Sequence, residues 1–136
     1  MRITYTTDSG FLLHVELKHS LCIFEGSSGT GKTYFFKLLK CYCLENNLPF
    51  FMFNSSTIGT SVDNISDVKP GTIIVLDDAE TYQTRKLIQN YLCAGCLVLV
   101  STHYLLDAGF DIKPGYYKVD FDKDRIEVTE NEYFNR

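Results

Sequence analysis

The chain has 136 residues and a mass of 15.6 kDa, which suits a single domain over 1–136 and excludes a nucleotide-binding core with a separate substrate domain. A hydrophobic share of 45% and a charged share of 22% are those of a folded chain. The net charge is −4 and no basic run exceeds Arg85-Lys86, so a dedicated nucleic-acid binder is unsupported.

No window approaches the roughly 18 apolar residues of a membrane span. The opening Met1-Arg2-Ile3-Thr4-Tyr5 turns polar at once, which predicts no signal peptide and no membrane association. The cysteines are Cys22, Cys41, Cys43, Cys93 and Cys96. Their odd count and apolar surroundings predict reduced thiols in a cytoplasmic protein.

In chain order, residues 2–7 alternate as a strand, and Asp8-Ser9-Gly10 is turn chemistry. Phe11 to Leu17 is a second strand, paired with the first as a hairpin. Leu21 to Phe24 is a continuous apolar run, as a buried parallel strand requires. A Gly-rich turn leads into a helix from Lys32 to Asn46. Its apolar positions Phe35, Phe36, Leu39, Tyr42 and Cys43 recur at three and four.

Residues 50–53 are the next strand, and 54–69 are polar with at most a short helix. Thr72 to Leu76 reads as a strand, Thr81 to Leu92 as a helix, and Cys96 to Val100 as a buried strand. Tyr116–Phe121 and Arg125–Thr129 close the chain as a hairpin across Asp122-Lys123-Asp124. Asp67-Val68-Lys69-Pro70-Gly71 is echoed by Asp111-Ile112-Lys113-Pro114-Gly115. Pro-Gly suits the centre of a type II turn, so the echo reads as repeated turn chemistry. The alternation of strands and helices predicts an α/β domain with a mostly parallel sheet and β-hairpins at both chain ends.

Gly26-Ser27-Ser28-Gly29-Thr30-Gly31-Lys32-Thr33 matches G-x-x-x-x-G-K-[ST] after a buried strand and at the opening of a helix. The glycines let the backbone wrap a phosphate chain. The inward N–H groups and the helix N-terminus then supply partial positive charge. Lys32 would reach the β- and γ-phosphates, and the Thr33 hydroxyl would ligate Mg²⁺. Tyr34 adjoins the loop and is counted with its nucleotide-binding residues.

On these residues the chain resembles the P-loop nucleoside triphosphatases, whose fold is a three-layer α/β sandwich. The resemblance extends to the branch with an additional central strand. Thr72-Ile73-Ile74-Val75-Leu76-Asp77-Asp78 looks like its Walker B strand. The resemblance implies that Asp77 holds Mg²⁺ and that Asp78, where Glu is usual, or Glu80 aligns the attacking water. It also implies that the strand ending Val100-Ser101-Thr102-His103 lies between the other two. Ser101, Thr102 or His103 would then sense the γ-phosphate. That strand and the N-terminal hairpin are similar to those of ABC-type and SMC-like ATPase cores, but no LSGGQ-like signature is present.

Neither N-K-x-D nor D-x-x-G occurs, which favours ATP over GTP. Arg85 is the only central arginine, and a solvated helix face suits it better than a finger role. Cys93-Ala94-Gly95-Cys96 and Cys41-Tyr42-Cys43 have metal-like spacing. Residues 41 and 43 on a helix diverge too far to share zinc, so they read as packing thiols.

The expected function is Mg-dependent ATP binding with slow hydrolysis, coupled to a protein partner or to self-association. A nucleotide switch or adaptor without turnover and a small-molecule or nucleoside kinase are the alternatives.

Overall fold

The computed structural model describes residues 1–25, 31–53, 68–77, 82–102 and 113–131. Strand β1 (Arg2–Thr6) returns as β2 (Leu12–Glu16) in an antiparallel hairpin. Its loop is closed by Thr7 N–H donating to Phe11 O and Gly10 N–H donating to Thr7 O, both at 2.9 Å. Along β2, Leu13 and Val15 are buried and alternate with half-exposed neighbours, the period of a strand with one covered face.

Strand β3 (Leu21–Glu25) differs: Leu21 to Phe24 are all buried. A strand covered on both faces needs such a continuous apolar run. Helix α1 (Lys32–Glu45) follows, burying Phe35, Phe36, Leu38, Leu39 and Cys43 on one side. Strand β4 (Phe50–Phe53), strand β5 (Ile73–Leu76), helix α2 (Tyr82–Cys93) and strand β6 (Leu97–Thr102) come next. A second hairpin, β7 (Gly115–Asp122) and β8 (Arg125–Glu130), ends the described chain.

All eight strands form one sheet in the order β1-β2-β8-β7-β3-β6-β5-β4. From β7 to β4 every neighbouring pair is parallel, and β6 lies between β3 and β5. The two hairpins join through a parallel pairing of β2 with β8, Leu13 opposite Ile126 and Val15 opposite Val128.

This overturns the expected three-layer α/β P-loop fold with a mostly parallel sheet. Among the described residues the structure is mostly β, and its sheet is mixed and curled into a half-barrel. Among the described residues there are two helices, one on each face, rather than two helical layers. The physical reason is the junction of the hairpins. They do not flank a flat sheet but extend it by a further three strands beyond β7.

Two cores result. One face packs α1 against Ile3, Leu13, Val15, Phe24, Val75, Leu99, Ile126 and Val128, so the curled sheet wraps this helix. Tyr5 on β1 reaches the far end of α1, donating its hydroxyl to Glu45 Oε1 at 2.9 Å. The other face packs Leu87, Ile88, Tyr91 and Leu92 of α2 against Ile23, Ile74, Leu76 and Val100. Burying each such side chain contributes about 1.5–3 kcal/mol.

The Pro-Gly echo has two separate causes. At Lys69-Pro70-Gly71-Thr72, Gly71 has φ +86° and Thr72 N–H donates to Lys69 O, as a type II turn requires. Gly115 has no such dihedral and simply begins β7. Space decides there, because a Cβ on residue 115 would lie 2.1 Å from His19 Nδ1.

Candidate functional site

The C-terminal ends of the parallel strands carry the sequence-predicted residues. Register places Ile23, Val100 and Leu76 in one row across β3, β6 and β5, all facing α2. The next row is Phe24, Ser101 and Asp77. Phe24 belongs to the α1 core, so strand alternation turns Ser101 and Asp77 to the same side. Asp77 continues the ladder past β5, its N–H donating to Phe53 O at 2.8 Å. Ser101 is buried and Asp77 half-buried. In open sheets with parallel strands, ligands bind outside this end.

The same end holds the start of α1. Gly31 is the residue before the helix and adopts φ +88°, a left-handed conformation that favours glycine. Its carbonyl accepts Phe35 N–H at 2.9 Å. Among the described residues no side chain caps this terminus, and no acidic residue lies in the first turn. The first amides of a helix have no partner within it, and they carry partial positive charge. Lys32 is buried at 8% exposure, whereas Thr33 and Tyr34 are exposed.

The structure therefore brings Gly31, Lys32, Thr33 and Tyr34 to the same end of the sheet as Asp77 and Ser101. Gly26, Ser27, Ser28, Gly29 and Thr30 lie outside the described residues, as do Asp78, Glu80 and His103. Arg85 falls within α2. Among the described residues, no group of three His, Cys, Asp or Glu side chains could hold a metal ion.

An aromatic group beside the start of α1 is not legible in the sequence. Hairpin β7–β8 runs on past the last β3 pairing, Phe24 with Tyr117, and carries Phe121 out to the start of α1. Phe121 packs on Gly31: a Cβ there would lie 3.3 Å from Phe121 Cβ and 3.4 Å from its Cδ2. Ring centroids are 5.4 Å apart for Phe11 and Tyr34, 5.9 Å for Phe11 and Phe121, and 6.2 Å for Tyr34 and Phe121. Phe11 is half-buried, but Tyr34 is 42% and Phe121 57% exposed. These rings come from three distant segments, so no local pattern announces them.

A polar network closes the opposite end of β3. The Tyr117 hydroxyl accepts Lys18 N–H and shares a hydrogen bond with His19 Nδ1, both at 2.8 Å. Burial pushes the Tyr117 phenol up to about 12. Burial likewise raises the Cys22 thiol to about 12, and its Sγ donates to His19 O at 3.2 Å. Cys43 and Cys96 are also buried and raised by desolvation, while Cys41 and Cys93 are exposed. On α1, Cys41 and Cys43 thus face different surroundings.

No protein-family model matches the chain, and no curated protein matches it. No helix among the described residues is long and apolar enough to cross a membrane.

Proposed function

We propose that this chain binds a nucleoside triphosphate, ATP, with Mg²⁺ and hydrolyses it slowly, as a cytoplasmic protein acting through a partner or a second copy of itself. The observation that carries this reading is the placement of the G-x-x-x-x-G-K-[ST] sequence. Its last residues, Gly31-Lys32-Thr33, open α1 at the carboxyl end of a buried parallel strand. The order of the neighbouring strands supports it, because β6 stands between β3 and β5 and presents Ser101 beside Asp77.

The residues present fit a Mg-triphosphate in donor type. Lys32 supplies a cation, the first amides of α1 supply N–H donors, and Thr33 and Asp77 supply the hydroxyl and carboxylate that hard cations prefer. Bound Mg²⁺ would neutralise charge on the phosphate oxygens. Lys32 would hold the β- and γ-phosphates, and Asp78 or Glu80 would orient water.

Radiolabelled phosphate release from Mg-ATP tests the reading. Release that Lys32→Ala abolishes is the expected result. Nucleotide that binds but stays intact after long incubation would instead select the switch reading. The shorter Asp78, in the place where Glu is usual, favours that second reading.

A further inference from the structure

A nucleoside triphosphate is a bipolar ligand, with charged phosphates and metal at one end and a flat apolar base at the other. The carboxyl end of this sheet has the same polarity. Asp77 and Ser101 lie on one side of β3, on β5 and β6. Phe121 and Phe11 lie on the other side, on β7 and at the entry to β2. Gly31 and Lys32 stand between these two groups, and Phe121 touches the Gly31 position.

We propose that the exposed rings of Tyr34 and Phe121, set at 67° to each other and backed by Phe11, form the platform that holds the nucleobase of the bound triphosphate, one ring under the face of the base and the other against its edge. This rests on the phosphate-loop reading above. Two large aromatics left open side by side are unusual, because such rings are normally buried. Phe11 secures the pair from below, since it packs on the α1 core while its ring meets both of theirs. A base stacks on any aromatic face, and each such contact is worth about a five- to hundredfold change in affinity. The overhang of β7 beyond β3 has a role on this view: it carries a ring to the start of α1, against Gly31.

Titration calorimetry on the full chain separates the two ends of the ligand. Mg-ATP and inorganic tripolyphosphate with Mg²⁺ are each titrated into the wild type, Tyr34→Ala, Phe121→Ala and Phe121→Leu. Phe121→Leu keeps apolar bulk but removes the ring. Phe121 is 57% exposed, so these variants should keep the wild-type urea midpoint.

Expected is a loss of Mg-ATP affinity of about five- to hundredfold in each variant, with tripolyphosphate binding held within about twofold. Equal losses for both ligands, or Mg-ATP affinity kept within about twofold, would overturn the platform. Wild-type protein that binds tripolyphosphate as tightly as ATP would overturn it too, while leaving the phosphate reading intact. Wild-type protein that binds neither ligand would refute the phosphate reading and the platform with it.

Discussion

Replacing Gly115 by alanine is expected to strain the end of β3 remote from the candidate site. The three atoms nearest to a Cβ at residue 115 all belong to the His19 ring: Nδ1 at 2.1 Å, Cγ at 2.5 Å and Cε1 at 2.7 Å. Ordinary van der Waals contact starts near 3.4 Å, so the imidazole must move by more than an ångström. Its 2.8 Å hydrogen bond with the Tyr117 hydroxyl cannot survive that shift. A lost internal hydrogen bond costs about 0.5–1.5 kcal/mol. Overpacking a tight site adds about 1–3 kcal/mol. The sum is about 1.5–4.5 kcal/mol, and Tyr117 keeps its bond from Lys18 N–H.

Urea denaturation followed by circular dichroism measures it, in the wild type and in a His19→Ala background. With the ring gone, the added methyl should cost less than about 0.5 kcal/mol. An equal cost in both backgrounds, or less than about 0.5 kcal/mol in the wild type, would refute the reasoning.

Stability should also fall at high pH. Tyr117 ionises near 10 in an unfolded chain and about 12 here, and Cys22 shifts from 9.0 to about 12. Both folded values are raised, so their contribution is intact below about 9 and is lost as pH climbs toward 12. Urea midpoints measured from pH 8 to 11 should decline, and a flat profile would contradict the burial of both groups. Native-state alkylation read by mass spectrometry should modify Cys41 and Cys93 before Cys22, Cys43 and Cys96. Gly71→Ala should cost about 1–2 kcal/mol from its φ of +86° alone, since nothing crowds the position.

Much of the local structure is legible along the chain. Leu21–Phe24 and Ile73–Val75 are unbroken apolar runs because both sheet faces are covered at those strands. The α1 stripe of Phe35, Phe36, Leu39 and Cys43 repeats at helical spacing, and that stripe is buried. What is not legible is how the chain ends meet. Pairing Leu13 with Ile126 joins segments more than a hundred residues apart, and neither strand carries a mark of its partner. That pairing turns an expected layered α/β domain into a curled, strand-rich sheet. The same gap hid Phe121, whose nearness to Gly31 comes from the overhang of β7 and from nothing in its own neighbourhood. By contrast, Lys32, Thr33 and Asp77 announce themselves by motif, and their shared placement at one sheet end follows from strand direction.

The most direct measurement is the affinity of the intact chain for Mg-ATP, by calorimetry, beside its Lys32→Ala variant. Saturable binding by the wild type, weakened at least about tenfold in the variant, is the expected result, since on the proposed reading Lys32 would supply a charge-assisted contact to the phosphates. No binding by the folded wild type at millimolar Mg-ATP, or equal affinity in a folded Lys32→Ala variant, would contradict a phosphate-binding role for this loop.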